Sequence, residues 1–164
     1  TQYLLAKLTQ FVDMAYKGLR TPGSLGDYTG LEIEHILPNT PKAELRADFL
    51  AKNPSTDYDE YKNKLGNLTL LEKPINIVAS NGFFAAKNVE YAKCKYYLTS
   101  SIAGLTPVGQ NSSITRINTK LAAFENWTAA AIDQRQGLLG NLVKEIWKIS
   151  SLDLDQPASL PSMR

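Results

Sequence analysis

The sequence predicts a mainly helical α+β fold in which one small pair of β-strands is embedded among helices. Apolar residues recur at helical spacing along most of the chain, as at Leu4, Leu5 and Leu8 near its start. Strand-like apolar stretches are confined to 31–37 and 68–71. With 164 residues, 43% of them hydrophobic, the chain is long enough to bury a core.

Turn and cap signals place the elements along the chain. A first amphipathic helix covers 3–19 and ends at the Pro- and Gly-rich stretch 21–26. Pro38 ends the first strand, since proline cannot donate to a ladder. Thr40 before Pro41 predicts an N-cap and a helix to Leu50. The later elements are predicted at 58–64 (helix), 68–71 (strand), after Pro74 (helix), 83–98 (helix), 100–113 (loop), 114–135 (helix) and 138–149 (helix), with a helix break at 80–82.

Three parts of the chain can be distinguished. Residues 1–30 form an N-terminal helix and linker, 31–98 contain the two strands, and 99–164 form a C-terminal helical part whose tail from Ser151 is expected to be frayed. Trp127 and Trp147 are expected to be core anchors of the last helices. The aromatic residues of 83–98 are expected in the core rather than as platforms for bases; they are Phe83, Phe84, Tyr91, Tyr96 and Tyr97.

Composition limits the classes of function. The formal net charge of +2 is smaller than that of a strongly basic nucleic-acid-binding domain, although lysines outnumber acidic residues in 73–98 and predict a local basic face there. The single cysteine, Cys94, excludes an internal disulfide and a paired-cysteine zinc site. No membrane span or signal segment is recognisable, so a cytoplasmic protein is expected. Because the chain starts at Thr1, it is expected to be a fragment of a longer protein.

The polar residues that could carry chemistry lie between the two strands and the following helix. The single histidine, His35, follows Glu34 and opens a His-x-x-Pro sequence that ends at Pro38. The second strand begins in Gly-Asn-Leu-Thr-Leu-Leu at 66–71, and Asn76 follows on the next helix. With imidazole and oxygen donors alone, a metal at this place would be a hard cation such as magnesium.

These motifs resemble those of the HNH, or His-Me finger, endonucleases, and most closely the helical C-terminal nuclease domain of GmrSD-type modification-dependent restriction enzymes. Downstream support comes from Asn81, Phe84, Lys87 and Tyr91, and from two residues of the last helices, Trp127 and Arg135. The resemblance implies a ββα-metal finger embedded in an α-helical domain. It also implies DNA as substrate and hydrolysis of phosphodiester bonds.

The resemblance assigns roles residue by residue. His35 would be the general base, which suits an imidazole with an ordinary pKa of about 6.5. Glu34 and Asn76 would hold one divalent cation, Mg²⁺ or Mn²⁺, and Asn67 would fix the hairpin loop that orients His35. Lys87 would contact phosphate as a point charge. Many relatives carry a zinc-binding Cys-x-x-Cys pair, but the corresponding positions here are Glu72 and Ile75, so no zinc is expected.

Simpler interpretations remain open at this stage. Asn67 can be a turn asparagine, Asn76 a helix cap, and Lys87 a solvated charge. Adjacent residues of a regular strand point to opposite faces, so Glu34 and His35 share the metal only if the strand ends or bends there. If the strand is regular, Asn81 replaces Glu34 as the ligand; otherwise Asn81 is expected to contact substrate.

Several functions are therefore compatible with the sequence. The leading one is a DNA endonuclease or nickase module of a prokaryotic restriction or phage-defence protein. An N-terminal nucleotide-hydrolysing sensor domain, in the same parent protein or a partner subunit, would then sense modified DNA. The alternatives are a catalytically inactive helical domain that binds DNA or docks to a protein, and a nuclease that acts on RNA.

Overall fold

A computed structural model describes residues 1–107 and 112–149 of the chain. The tail predicted to be frayed from Ser151 lies outside these residues, as do positions 108–111 of the predicted loop. The helices are α1 (Gln2–Tyr16), α2 (Gly26–Thr29), α3 (Ala43–Lys52), α4 (Tyr58–Asn63), α5 (Lys73–Ala79), α6 (Phe84–Tyr91), α7 (Tyr97–Ala103), α8 (Ser112–Asn118) and α9 (Ala129–Trp147).

The described residues form one antiparallel sheet of two strands, β1 (Glu32–His35) and β2 (Leu68–Leu71). Glu32 pairs with Leu71 and His35 pairs with Leu68. Helices α3 and α4 lie in the connection between the strands, and α5 follows β2 directly. The prediction of a mainly helical α+β fold with one strand pair is confirmed.

Helices that precede and helices that follow the two strands in the sequence pack against the strand pair. A two-stranded ribbon is marginal in water by itself, so it needs apolar partners. Every residue of β2 is buried, and its leucines belong to a core that also includes residues of α1, α3, α6 and α9. A second apolar cluster joins α1, α7, α8 and α9 around Leu8, Val12 and Leu139. Helices from both ends of the chain therefore support the ribbon.

The last long helix lies directly against the turn that leads into β2. A Cβ atom on Gly66 would come within 2.2 Å of the carbonyl oxygen of Ile132 in α9, so only glycine allows this approach. The buried Arg135 of α9 donates from Nη1 to the carbonyl oxygens of Gly66 (2.8 Å) and Leu68 (2.7 Å). Burial lowers the pKa of Arg135 to about 10, which leaves the guanidinium charged at neutral pH.

The helix predicted over 83–98 is interrupted. Helix α6 ends at Tyr91, and α7 runs from Tyr97 to Ala103. The loop predicted over 100–113 is therefore wrong at 100–103, and also at 112–113, where α8 begins. The backbone N–H of Tyr97 donates to the buried Asp13 carboxylate of α1 at 2.9 Å, and Cys94 donates to Glu72 at 3.0 Å. These partners are distant in sequence, so periodicity within 83–98 could not show the break.

The boundaries of the C-terminal helices and of α3 also differ from the prediction. Residues 119–128 lie outside helices, and α9 continues through Gly137. Its N-terminus is set by Thr128, whose hydroxyl accepts a hydrogen bond from the Ala131 N–H at 3.2 Å. Helix α3 begins at Ala43 after the N-cap residue Lys42, and not at Thr40. The helix after Pro74 and the break at 80–82 are confirmed.

Burial separates the aromatic residues into two groups. Trp127 and the tyrosines of 83–98 lie in the core, as expected. Trp147 was expected to be a core anchor but is 40% exposed near the end of α9. Phe83 was also expected in the core but is 50% exposed at the start of α6. Among the described residues, no helix is long and apolar enough to cross a membrane.

Candidate active site at the end of the first strand

His35 is the last residue of β1 and is half-buried. Burial lowers the pKa of His35 below its ordinary value, and the ammonium charges of Lys87 and Lys62 lower it further. The imidazole is therefore mainly neutral near pH 7 and has a nitrogen that can accept a proton. A half-exposed neutral imidazole at a strand end is suited to general-base chemistry.

Asn67 holds the chain just after His35. Its Oδ1 accepts from the backbone N–H of Leu37 (2.6 Å) and from the indole N–H of Trp127 (2.9 Å). Its Nδ2 donates to the carbonyl oxygens of Leu37 (2.9 Å) and Lys62 (2.8 Å). The side chain is fully buried, so these bonds are shielded from water. Asn67 therefore holds the chain two residues after His35, and its expected task of orienting the imidazole stays a prediction.

Glu34 points into the interior and is bound by two residues of α6. Its Oε1 accepts from Lys87 Nζ at 2.6 Å and from the Tyr91 hydroxyl at 2.7 Å. Burial raises the pKa of Tyr91 well above its ordinary value, so the phenol stays protonated and can donate. A metal-binding role for Glu34 therefore requires a rearrangement that frees it from Lys87.

Lys87 lies in a different environment from the one expected. Its exposed fraction is 0%, so it is not part of the basic face predicted over 73–98. Its ammonium also donates to the carbonyl oxygen of His35 at 2.7 Å. Burial lowers the pKa of Lys87, and the Glu34 carboxylate opposes this effect. A contact between Lys87 and phosphate stays a prediction, and it would require this ion pair to open.

The two downstream asparagines lie in different surroundings. Asn76 lies on α5, and its Nδ2 donates to Glu32 Oε2 of β1 at 2.8 Å. Asn81 is exposed in the turn between α5 and α6, next to Ser80, which has a positive φ of 45°. The structure therefore brings Asn76 to β1 through Glu32, and leaves Asn81 accessible from solvent.

The oxygen atoms of Glu32 and Asn76 are a donor set that fits a hard divalent cation. Magnesium binds proteins through one or two carboxylates and completes its coordination with water and substrate phosphate. Glu32 would supply one carboxylate, and Asn76 would supply its amide oxygen after a turn of the side-chain amide, because its Nδ2 now faces Glu32. The described residues hold no group of three or more His, Cys, Asp or Glu side chains that would form a closed metal site.

Two residues near the site were missed by the sequence reasoning. Glu32 is two residues further from His35 than Glu34 is, and it lies on the same face of the strand as Glu34, because side chains alternate. Lys62 precedes the second strand and acts electrostatically on His35 while it pairs with Asp59 at 2.7 Å. Alternation along β1 could have suggested Glu32, whereas no local pattern indicates Lys62.

Comparison with protein families defines the class of this chain, which is that of nuclease modules of restriction enzymes. The matching model is the C-terminal domain of GmrSD restriction endonucleases, and it covers residues 2–142, so the chain belongs to this family. No match was found among the curated proteins. The solved structures likewise gave no match.

Proposed function

We propose that this chain is an HNH-type, metal-dependent DNA endonuclease or nickase module in which His35 is the general base. The observation that carries the proposal is the buried Asn67 amide, which binds both the N–H and the carbonyl oxygen of Leu37. A fully buried asparagine that fixes the chain two residues after a half-exposed histidine is a supporting residue for an oriented imidazole. Membership of a restriction endonuclease family supports the same function.

In the proposed reaction, water attacks a phosphorus of the DNA backbone while neutral His35 accepts a proton from that water. A bond forms between the water oxygen and phosphorus, and one phosphorus–oxygen bond of the backbone breaks. The lowered pKa keeps His35 unprotonated before the step, as a general base must be. Asn67 acts through the backbone of Leu37, so its role is to position the histidine rather than to touch substrate.

The proposed cofactor is one Mg²⁺ or Mn²⁺ ion. Asn76 is a candidate ligand both from the sequence and from the structure, and Glu32 is the carboxylate that already lies beside it. Glu34 is the other candidate if Lys87 releases it, and Asn81 is the accessible substitute. When bound, a divalent ion stabilises negative charge that develops on the phosphate and on the leaving oxygen.

The proposed substrate is DNA, and the proposed context is a prokaryotic restriction or phage-defence protein. A nucleotide-hydrolysing sensor domain, in the same parent protein or in a partner subunit, would direct this module to modified DNA. The modest net charge of +2 supports such a division of labour, because an autonomous DNA binder is typically strongly basic.

A plasmid-nicking assay with Mg²⁺ or Mn²⁺ tests this function. We expect His35→Ala to reduce the cleavage rate by about 100-fold or more, the usual contribution of general-base catalysis. Asn141→Ala, which removes an exposed polar side chain from α9, is the control and should cleave as the unmodified chain does. Cleavage by His35→Ala at the rate of this control would overturn the assignment of the base.

The same assay separates the alternative functions. A catalytically inactive domain would bind DNA with a steep salt dependence and would leave the plasmid intact at every metal concentration. A ribonuclease would cleave a matched RNA and spare the DNA. The ion pair between Lys87 and Glu34 is the observation that favours the inactive alternative, because it occupies one expected metal ligand.

A further inference from the structure

A groove begins at the residues that follow His35. It has a volume of about 370 Å³, and its lining includes Ile36, Leu37 and Pro38. Phe83, Phe84 and Trp127 also line it. Its size lies in the range of roughly 300–1,000 Å³ that is common for small-molecule sites. The first lining residue, Ile36, directly follows His35 in the chain.

The aromatic wall of this groove is well fixed except at its edge. The rings of Phe84 and Trp127 stack with centroids 5.2 Å apart and an angle of 21° between their planes. The Trp127 indole is held by its hydrogen bond to Asn67, the residue that also binds Leu37. Phe83, in contrast, is 50% exposed, so an aromatic ring at the groove is left without full cover.

The charges of the lining residues indicate which part of a nucleic acid this groove can bind. Its charged lining residues are Asp48, Lys52 and Glu125, and Lys52 pairs with Asp48 at 2.8 Å. Two carboxylates against one ammonium disfavour a phosphate, which carries negative charge itself. An uncharged planar group with an apolar face suits this lining, and a nucleobase is such a group with a π-face that stacks on phenylalanine.

We propose that this groove is a nucleobase subsite, in which Phe83 stacks on an unstacked base next to the phosphate cleaved at His35. The inference rests on the proposed function and adds to it a contact with one base of the substrate strand. Because the groove starts one residue after His35, a strand with a phosphate at the imidazole can place a neighbouring base there. Phe83 would then be a substrate-binding residue rather than a core residue.

Binding of oligonucleotides to the full chain carrying His35→Ala tests the subsite without cleavage. In this background, Phe83→Ala and Phe83→Leu are compared with Phe83→Tyr, and Tyr3→Ala is the control because Tyr3 is an aromatic residue of α1 that is 57% exposed. The DNA is a duplex with an abasic nucleotide placed in turn at each position around the cleavage point. Thermal melting of each variant confirms that it is folded.

We expect Phe83→Ala and Phe83→Leu to weaken binding about 10-fold, the scale of one lost stacking contact, while Phe83→Tyr and Tyr3→Ala bind normally. When the abasic nucleotide occupies the position of the stacked base, the Phe83→Ala variant and its parent with Phe83 should bind this DNA with equal affinity, because no base remains to stack. Normal binding by Phe83→Ala would overturn the subsite. Normal binding by Phe83→Leu would show that the ring makes an apolar contact with another group. A loss of affinity by Phe83→Ala that is equal at every abasic position would show a contact with the DNA backbone. Either outcome would overturn the nucleobase subsite.

These outcomes are distinct from failure of the proposed function. If the unmodified chain cleaves DNA but Phe83 variants bind normally, the nuclease proposal stands and the subsite is wrong. If no variant of the chain cleaves, the subsite is still measured through the binding difference between Phe83→Ala and Tyr3→Ala. If the unmodified chain neither binds nor cleaves DNA at low salt, where phosphate contacts are strongest, both proposals are wrong.

Discussion

Residue 35 is held mainly through its backbone in the part of the chain that the structure describes. Its carbonyl oxygen accepts from Lys87, and the next N–H, that of Ile36, donates to the carbonyl oxygen of Asn67 at 3.0 Å. The second N–H, that of Leu37, is held by the Asn67 side chain. Backbone anchoring thus holds the strand end while the imidazole stays partly exposed.

The titration of His35 can be measured directly because the chain contains a single histidine. We expect the ring Cε1 proton of the metal-free chain to titrate with a midpoint below the ordinary pKa of about 6.5. Since the folded state disfavours the protonated form, this residue also makes the fold less stable as pH falls below about 6.5. Proton NMR from pH 4 to 8 gives the midpoint.

The charge of Lys62 is one named cause of this shift. Lys62→Ala should raise the His35 midpoint toward the ordinary value, whereas Lys93→Ala, at an exposed position, should leave it unchanged. A midpoint above 6.5 in the unmodified chain would contradict the burial and the positive surroundings described for this imidazole.

Removal of Lys87 should destabilise the fold strongly. Lys87→Met leaves the buried Glu34 carboxylate without its cation, and loss of one partner of a buried pair typically costs about 3–5 kcal/mol. Lys93→Met is the control, because Lys93 is exposed and pairs with Glu90 at 2.6 Å. Exposed pairs contribute little, about 0–1 kcal/mol. Urea unfolding at neutral pH measures both variants.

The double variant Lys87→Met with Glu34→Gln shows whether the effect is electrostatic. It should recover part of the lost stability, since the neutral amide is less costly to bury than an unpaired carboxylate. If Lys87→Met and Lys93→Met have the same free energy of unfolding, the ion pair between Lys87 and Glu34 does not stabilise the native state.

At the scale of elements, the hairpin and α9 determine each other. Gly66 allows α9 to approach the turn before β2, and Arg135 ties the carbonyl oxygens on both sides of Asn67 to the same helix. The Trp127 side chain, just before α9, completes the contact through Asn67. The C-terminal helix is thus part of the support of the candidate active site, although its Gln136 is 70 residues from Gly66, to which it hydrogen-bonds.

A pair of glycine substitutions tests the contact between α9 and the hairpin. Gly66→Ala would place a Cβ atom 2.2 Å from the Ile132 carbonyl oxygen and 2.8 Å from the Gln136 nitrogen, both backbone atoms of α9. We expect a loss of about 1–3 kcal/mol in the free energy of unfolding, the usual cost of overpacking.

The matched control is Gly140→Ala in the middle of α9. Beyond the adjacent residues and the backbone of α9 itself, no atom lies within 4 Å of a Cβ at this position, so the substitution should be neutral or stabilise by up to about 1 kcal/mol through helix propensity. Chemical unfolding measures both variants. Equal stability of the two would show that α9 does not pack on the turn as closely as described.

For the whole molecule, the candidate site is assembled from distant segments along β1, from Glu32 at its start to His35 at its end. Residues of β1, the turn before β2, α5, α6 and the segment before α9 all contribute to it. The cores on either side hold these segments in place. A ligand that binds the assembled site should therefore stabilise the entire fold, since the unfolded chain lacks the site.

Stabilisation by metal tests the proposed ligand without a cleavage assay. Addition of Mn²⁺ at about 100 times its Kd should increase the free energy of unfolding by about 2.7 kcal/mol and raise Tm. Asn76→Ala should remove most of this shift, while Asn141→Ala, an asparagine control on α9, should retain it. Equal shifts in the two variants would exclude Asn76 as a ligand and would leave the base assignment untouched.

The sequence by itself determined the elements whose signals are local. The second strand, the helix after Pro74 and the break at 80–82 follow from apolar runs and turn residues within a few positions. The order of His35, Asn67 and Asn76 also indicated the family that the comparison found. These features are short-range, so neighbouring residues are sufficient to predict them.

Only the tertiary structure decided which polar side chains face the interior and where several helices end. Lys87 pairs with Glu34, which is 53 positions away in the sequence, and Asp13 caps the start of α7 at Tyr97, which is 84 positions away. The exposure of Phe83 and the pairing of Glu32 with Asn76 likewise depend on how α5 and α6 lie against β1. The physical reason is that burial and hydrogen bonding are set by spatial neighbours, which local periodicity does not identify.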